Sequence, residues 1–532
     1  MTISSYYSLA YLLVLLPLSV GFYGILPQKL RRIALLVFNY AFFLAVSGKL
    51  ILFLLLSTLS IHHVGLWLSA LQKEGDARRL EVPKEQRKAL KAQYLRRQRL
   101  VMGFAALFHL GILLGLKYTP FFAANANSLL GWLGLPLALP VPSFVLPIGI
   151  SFYTLQAMGY LFDVYRRVIP GDRNLLRLAL FMSFFPQIME GPICRYSQTA
   201  QTLWEVPKLR YENLLLGGQR ILWGMVKKMV VADRLNLLIQ NVFGHYNRYD
   251  GFVIALAAVG YTFQLYMDFS GTMDVVLGSG QLFGISLPEN FQRPFFSKSI
   301  SEFWKRWHIT LGAWFKDYLF YPLSLSKPLK HLTSWGRKRL GNHYGPLLGG
   351  SLVLFCVWVC NGLWHGAGWQ YLFFGLYHFA LIAGGNALDP LAAALASKLR
   401  ISRQSRPYRW FQILRTFLLV CLGELFFRAD GLRAGLSMAR RIFTDFSLDS
   451  LWKGTLFTYG MDLPDYGIVG VTLLLVFLVG LLQEKGIPLR QRLRERHVVI
   501  RFAAAYGLIL FLVIFGAYGI GYLPVDPIYA AF

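Results

Sequence analysis

Residues 352–374 read LVLFCVWVCNGLWHGAGWQYLFF, an uncharged stretch that is long enough to cross a lipid bilayer, which takes roughly 20 helical residues. Similar apolar runs, with their flanks, recur along the 532-residue chain at Tyr11–Ile25, Leu50–Leu71 and Gly470–Leu482. Charged residues make up 15% of the chain, against about 25% in a typical soluble protein. The sequence therefore predicts an all-α, polytopic membrane protein.

Basic residues are concentrated in short loops beside these apolar runs. The chain has 54 Lys and Arg and 26 Asp and Glu, a formal net charge of +28. Lys and Arg accumulate in cytoplasmic loops of membrane proteins, so the N-terminus is predicted to lie outside. No basic domain stands apart from the membrane, which argues against nucleic acid as a partner. The clusters predicted to be cytoplasmic are residues 29–32, 73–99, 327–339, 398–415 and 485–501.

This topology gives about eleven or twelve transmembrane helices, together with re-entrant and interfacial segments, in a single membrane domain of residues 1–532. Residues 1–99 and 411–532 are predicted to form peripheral transmembrane helices. Residues 297–343 are strongly basic and are predicted to lie in the cytoplasm or at the inner interface. Leu175–Glu190 is predicted to enter the membrane without crossing it. The first apolar run lacks a basic region before it and is predicted to be a retained span rather than a signal peptide.

His365 interrupts the quoted apolar stretch together with several small residues. Asn361, Gly362, Gly366 and Gly368 surround it, and small neighbours allow another chain or a substrate to approach closely. Trp364 could form the wall of a cavity. A neutral imidazole at membrane depth can take a proton from a hydroxyl group, but it can equally be a packed histidine bonded to a neighbouring helix. Spacing alone leaves both interpretations open.

A second histidine, His308, lies in the aromatic and polar stretch Ser299–Tyr321, SISEFWKRWHITLGAWFKDYLFY. Its apolar residues follow helical spacing and include Trp304 and Trp307, while the charged residues lie largely on the opposite side. The pattern predicts one amphipathic helix at the inner interface or beneath the bundle. On this evidence a histidine that merely packs is the favoured interpretation.

Two aspartates occur inside the apolar segment YTFQLYMDFSGTMDVVLG. Asp268 and Asp274, with Ser270 nearby, need polar partners because a buried carboxylate is unfavourable without them. They are candidates to orient a histidine or to shape a polar tunnel. A structural hydrogen-bonded cluster between helices explains them equally well.

Other familiar sites have no support in the sequence. The four cysteines (Cys194, Cys356, Cys360 and Cys421) lack the spacing of a metal site, so no metal site is predicted. The HExxH, GxxxxGK[ST] and GxSxG motifs are absent. Hydrolysis by a metal or a serine triad is therefore not supported, and neither is ATP-driven transport.

Five stretches together resemble the membrane-bound O-acyltransferase (MBOAT) family. The resemblance is strongest to the bacterial branch that contains the membrane subunit of alginate O-acetylation and the D-alanyl transferase of teichoic acids. The motif core covers residues 100–380. The stretches are LPIGISFYTLQAMGYLFDVYRR (Leu146–Arg167), FFPQIMEGPICRY (Phe184–Tyr196), MDFSGTMDVVLG (Met267–Gly278), ENFQRPFFSKSISEFWKRWHITLGAWFKDYLFYPL (Glu289–Leu323) and NGLWHGAGWQYLFFGLYH (Asn361–His378).

The resemblance implies roles for both histidines. It makes His365 the catalytic base and His308 a second catalytic position, with helices arranged around a central tunnel. It also implies that a cytoplasmic thioester supplies the acyl group and that the acceptor hydroxyl comes from the outer side. Asp268, Ser270, Asn361, Trp304, Trp307 and Trp364 are then candidates to line the tunnel or bind substrate.

The implied activity is O-acetyl transfer to a cell-surface or exported polysaccharide, directly or through an extracytoplasmic acyltransferase or acceptor protein. Acetyl-CoA is the expected donor substrate, and no bound cofactor is expected. D-alanyl transfer from a carrier protein to a teichoic-acid-like polymer is the nearest alternative. A non-catalytic polysaccharide export component or scaffold is another. The implied location is the bacterial inner membrane.

Overall fold

The structure is a computed structural model that describes residues 5–518. It is 79% helical, and within the described residues no strand occurs. Within these residues, β-type pairing is limited to the isolated antiparallel bridge between Phe291 and Trp307. This confirms the predicted all-α polytopic fold.

The chain divides into two compact units. Of the described residues, the first contains residues 5–218 together with Val276–Pro288, and the second contains Gln219–Val275 and residues 289–518. The first boundary falls within a helix, α8. The helices up to this point are α1 (Leu16–Ile25), α2 (Gln28–Ser47), α3 (Ile51–Glu81), α4 (Arg87–Trp132), α5 (Ile150–Tyr165), α6 (Leu175–Ser183), α7 (Tyr196–Glu205) and α8 (Tyr211–Met225).

The remaining helices follow a π-helical segment, Val226–Ala232. α14 is interrupted at Gly341, where φ is 78°. The helices are α9 (Asp233–Gly244), α10 (Gly251–Leu282), α11 (Ile300–Arg306), α12 (Ile309–Phe315), α13 (Tyr321–Ser324), α14 (Lys327–His365), α15 (Trp369–Lys398), α16 (Arg406–Arg428), α17 (Gly431–Thr444), α18 (Asp449–Trp452), α19 (Leu463–Glu484), α20 (Leu489–Arg494) and α21 (Val498–Phe515).

Within residues 5–518, eight helical stretches are long and apolar enough to cross a membrane. One of them, Gln28–Glu81, contains both α2 and α3, and the shorter apolar segment Ala10–Ile25 precedes it. The sequence predicts a higher number, about eleven or twelve, because it counts apolar stretches whose helices are short. α5 and α8 have 16 and 15 residues, and roughly 20 are needed to span the hydrocarbon core.

The first unit is held together by buried aromatic side chains. Tyr6, Tyr11, Phe42 and Phe185 form mutual ring contacts with centroids 5.1–6.5 Å apart. Asn39 on α2 supports them, since its Oδ1 accepts from the Phe185 backbone N–H at 3.0 Å. This bond satisfies a backbone group in the stretch after α6. That Leu175–Glu190 enters the membrane without crossing it stays a prediction.

The aromatic stretch around His308 differs from its prediction. Instead of one amphipathic helix, the chain forms α11, a break at Trp307 and His308, and then α12. The break arises because Trp307 pairs with Phe291 in the isolated bridge, and the N–H of Gln292 donates to the carbonyl of Arg306 at 2.9 Å. A preceding extended segment thus takes hydrogen bonds that a continuous helix would have used.

Candidate active site

His365 lies at the turn of a tight hairpin formed by α14 and α15, in the second unit. Glycines allow the two helices to approach closely. A β-carbon at Gly362 would lie 2.5 Å from the carbonyl oxygen of Tyr371, and one at Gly375 would lie 2.4 Å from that of Trp358. Atoms at these distances would overlap, so the hairpin requires glycine at both positions. The small residues around His365 therefore serve helix contact.

The imidazole of His365 is buried among aromatic rings, with 3% of the residue exposed. Its ring centroid lies 5.0 Å from Trp364, 6.0 Å from Phe374 and 5.1 Å from Phe427. These residues come from α14, α15 and α16, so three helices enclose the ring. Electrostatic interactions are stronger in such a dry setting than in water.

Asn290 holds the turn that carries His308. Its Oδ1 accepts from the Thr310 backbone N–H at 3.0 Å and from the Thr310 hydroxyl at 2.9 Å. Its carbonyl oxygen accepts from the Ile309 N–H at 3.0 Å. These bonds stabilise His308 in a left-handed conformation, φ 45° and ψ 51°, which is uncommon for a residue other than glycine. Such conformations persist where the surroundings enforce them.

The same side chain fixes the tautomer of His308. The Nδ1 atom of His308 lies 3.3 Å from Asn290 Oδ1, and an amide oxygen can only accept, so Nδ1 carries the proton. Nε2 is then the acceptor atom of the ring. Burial lowers the pKa of His308 to about 3, which keeps the imidazole neutral at physiological pH.

Trp364 connects the two histidines. Its ring centroid lies 5.7 Å from that of His308 and 5.0 Å from that of His365. Phe269 on α10 also packs against His308, with centroids 4.9 Å apart. The structure therefore brings His308, Trp364 and His365 into one buried cluster, which we call the two-histidine site. Residues 57 positions apart in the sequence meet there.

Trp304 and Trp307 anchor the segment that leads into this site. The indole N–H of Trp304 donates to Nδ1 of His378 on α15 at 3.3 Å. Trp307 is buried, and its ring contacts Phe303 at 5.3 Å and Tyr266 at 5.9 Å. These contacts fix α11 and the turn after it, and a role for either tryptophan in binding substrate stays a prediction.

Asp268 and Ser270 are bound by two lysines that were not among the predicted site residues. Lys228 forms an ion pair with Asp268 at 2.9 Å. Lys227 donates to Ser270 Oγ at 3.4 Å and to Asp274 at 2.7 Å. These bonds form a charged cluster, and a role for Asp268 or Ser270 in lining a tunnel or binding substrate stays a prediction. The signal was present in GMVKKMVVAD, because charged residues in an apolar segment are costly and usually have a purpose.

Asn361 lies one helical turn before His365 on α14 and is buried. Within the described residues, its Oδ1 accepts no hydrogen bond. Buried polar atoms usually have a partner, so this oxygen is suited to a group that enters the site. Asn361 therefore remains a candidate for substrate contact.

The two-histidine site suits proton transfer. It offers neutral His308, with Nε2 as acceptor, and buried His365 at a turn that three helices hold in place. A positioned imidazole can take the proton of a hydroxyl that attacks a carbonyl carbon, and such help contributes roughly 10²–10⁴-fold to the rate. The fold and the site together point to a polytopic membrane enzyme.

Comparison with known proteins also indicates a polytopic membrane enzyme. Residues 47–334 match the sequence model of MBOAT, the membrane-bound O-acyltransferase family, a region that includes His308 but not His365. The chain belongs to this family, and it is an O-acyltransferase. The expected resemblance is thus confirmed.

Several bacterial relatives are similar over long stretches. The chain is 30% identical over 435 residues to the probable alginate O-acetylase AlgI of Pseudomonas aeruginosa, covering 82% of this chain and 74% of that protein. It is 31% identical over 367 residues to the peptidoglycan O-acetyltransferase of Helicobacter pylori, covering 64% of each. It is 29% identical over 295 residues to the teichoic acid D-alanyltransferase of Bacillus subtilis, covering 53% of this chain and 68% of that one.

Proposed function

We propose that this protein transfers an acetyl group from a cytoplasmic thioester to a hydroxyl group of an exported or cell-surface polysaccharide. The observation that carries the proposal is the two-histidine site, in which one indole ring contacts both imidazoles. Relatives also support the proposal, because the names of two of them refer to alginate and peptidoglycan O-acetylation. Both activities form esters on polysaccharides.

In the proposed reaction, His365 is the general base. The acceptor hydroxyl gives its proton to the imidazole while its oxygen attacks the carbonyl carbon of the thioester. The carbon–sulfur bond then breaks, the new ester leaves with the acceptor, and the thiolate takes the proton back from His365. Protons and electrons balance without a further reactant.

His308 has a different part in this proposal. Because its Nδ1–H is held by Asn290, the ring has Nε2 as an acceptor and has no second N–H with which to stabilise an oxyanion. We assign it to orient the donor by accepting a hydrogen bond from it. This role depends on the ring staying neutral, which its burial ensures.

The proposed orientation places the basic helix ends in the cytoplasm of a bacterium, at the inner membrane, with the N-terminus outside. The donor is proposed to be acetyl-CoA, used as a substrate. Transfer reaches the polysaccharide directly or through an extracytoplasmic acyltransferase or acceptor protein. Lys and Arg at the starts of α14 and α16 support the orientation through the positive-inside rule.

D-alanyl transfer from a carrier protein is the alternative that a specific finding favours, namely the similarity to a teichoic acid D-alanyltransferase. The chemistry at the two-histidine site would be the same, because both donors are thioesters. The two proposals differ in the acyl group, its carrier and the acceptor polymer.

Deleting the gene and measuring two esters tests the proposal. We expect the deletion strain to lose O-acetyl ester from its surface and secreted polysaccharides, and the wild-type chain to restore it. Mild alkaline release followed by chromatography would measure acetate and D-alanine in the same sample. Loss of D-alanine alone would establish the alternative. No change in either ester would reject polysaccharide acylation and favour an export or scaffold role.

A further inference from the structure

An apolar cavity of about 280 Å³ lies within the second unit, away from the residues of the two-histidine site. Helices α10, α16 and α19 and the short turn Pro294–Phe296 form its walls. Nearly all of its lining is hydrophobic, and Arg293 is the charged residue that lines it. A cavity of this kind suits a hydrocarbon chain with a polar group at one end.

The cavity can be reached from the outer surface of the helices. Leu414 and Trp410 on α16 and Phe477 on α19 line it, and 57%, 54% and 42% of these residues are exposed. In a membrane protein such apolar surface faces lipid. An occupant can therefore enter sideways from the bilayer between α16 and α19.

Several basic residues lie close to Arg293 in the structure or directly beside the cavity lining in the sequence. Arg293 and Arg306 both bond to Glu484, at 2.7 and 3.0 Å, and Arg306 also bonds to Glu302 at 2.7 Å, so two guanidinium groups face two carboxylates. Arg415 donates to the carbonyl oxygen of Lys298 at 3.1 Å, and both side chains lie at the surface. Exposed Arg409 adds a further charge next to Trp410. Basic pockets between transmembrane helices bind anionic lipid head groups.

Phe295 links this cavity to the segment that carries His308. Its ring lines the cavity and contacts Tyr266 at 4.9 Å, Phe417 at 5.4 Å and Trp307 at 6.4 Å. Trp307 directly precedes His308, whose backbone conformation is strained. Filling the cavity would keep Phe295 in place and so support the turn at His308.

We propose that this cavity binds an acyl chain of an anionic phospholipid, with the lipid phosphate at Arg293 and its basic neighbours. The bound lipid stabilises the turn that carries His308. This site is independent of which acyl group the enzyme transfers, because it does not include the two-histidine site.

The full-length protein in nanodiscs provides the test. Binding of a fluorescent phosphatidylglycerol would be measured in phosphatidylcholine discs, together with the melting temperature in discs with and without phosphatidylglycerol. We expect saturable binding and a higher melting temperature with the anionic lipid. Arg293→Gln should weaken binding about fivefold, the effect of removing one basic contact with a lipid surface.

Two glycines on α19 provide a test variant and a matched control for binding of the acyl chain. Gly480 lines the cavity, and a β-carbon there would lie 3.2 Å from Phe296. Gly480→Leu places a side chain in the space of the acyl chain and should abolish saturable binding. Gly470→Leu lies on the same helix with nothing within 4 Å and should leave it unchanged.

Three outcomes would overturn the proposal. Equal binding of phosphatidylcholine would show that the site does not select an anionic head group. Competition by soluble glycerol phosphate as strong as by the lipid would show that the acyl chain makes no contribution. Unchanged binding in a folded Gly480→Leu variant would place the lipid elsewhere, and Arg293→Gln decides the matter if that variant fails to fold.

Discussion

At the scale of single residues, Asn290 determines what His308 can do. One amide oxygen accepts from the Thr310 backbone and hydroxyl and also faces His308 Nδ1. Because that oxygen cannot donate, it fixes the proton on Nδ1 and leaves Nε2 as an acceptor. Burial adds the second constraint, since it lowers the pKa of His308 to about 3. A neutral ring of known tautomer is the result.

Replacing Asn290 with aspartate should make the activity of the enzyme sensitive to acid. The carboxylate still accepts from His308 and Thr310, but its negative charge stabilises the protonated imidazole and raises the pKa of His308. Because the proposed role requires a neutral ring, activity is then lost as the pH falls through the raised pKa of His308. We expect the acid limb of the pH–rate profile to move to higher pH in Asn290→Asp.

The comparison is with the wild-type enzyme, in which His308 should cause no loss of rate between pH 5 and 8. Asn290→Ala is a useful second variant, because it removes the acceptor without adding charge and should lower the rate at every pH. An unchanged acid limb in an active Asn290→Asp enzyme would contradict a role for neutral His308.

Sequence reasoning identified both histidines, but through the resemblance rather than through spacing. Spacing alone left His365 undecided and favoured simple packing for His308. Asn290 was not singled out, because nothing in the local pattern of ENFQRP shows that its amide meets a turn 18 residues later. Contacts of this kind are made by tertiary structure, which a one-dimensional pattern does not contain.

At the scale of helices, the hairpin of α14 and α15 places His365. Gly362 was expected to permit close approach of another chain or a substrate, and the structure shows that the next helix approaches it; Gly375, on the facing helix, was not singled out. The break between α11 and α12 was not predicted, since the aromatic residues keep helical spacing across it. The competing hydrogen bonds come from residues 290–292, which lie outside the pattern.

Substituting Gly375 with alanine should push the hairpin apart. The added carbon would lie 2.4 Å from the Trp358 carbonyl oxygen, and overpacking of this kind typically destabilises by about 1–3 kcal/mol. We expect a lower melting temperature in detergent and a larger loss of acyl transfer than the stability change alone would cause, because His365 lies at the turn.

Gly384→Ala is the control, because Gly384 lies on the same helix with nothing within 4 Å of an added β-carbon. Replacing glycine with alanine there should leave stability and activity at or slightly above the wild-type level, given the higher helix propensity of alanine. Equal behaviour of the two variants would mean that close packing at Gly375 does not position His365.

At the scale of the whole molecule, composition and apolar runs were sufficient to predict a polytopic helical membrane protein. The number of spans was predicted less accurately, because apolar stretches such as α5 form buried helices that are too short to cross a membrane. The charged cluster of Lys227, Lys228, Asp268 and Asp274 was predicted only in part, as two aspartates in need of partners. The lysines were overlooked because basic residues were assigned collectively to loops.

The central claim for the whole enzyme is that His365 is the base for acyl transfer, and α14 offers a matched comparison. His331 lies in the part of α14 before its interruption at Gly341 and is exposed. Cells that lack the protein would be complemented with the wild-type chain, His365→Ala or His331→Ala at equal membrane expression, and polysaccharide ester would be measured over time.

We predict that His331→Ala restores ester formation at the wild-type rate and that His365→Ala lowers the rate by roughly 10²–10⁴-fold. Full restoration by His365→Ala would contradict the account, because the proton would then have to be taken by another group.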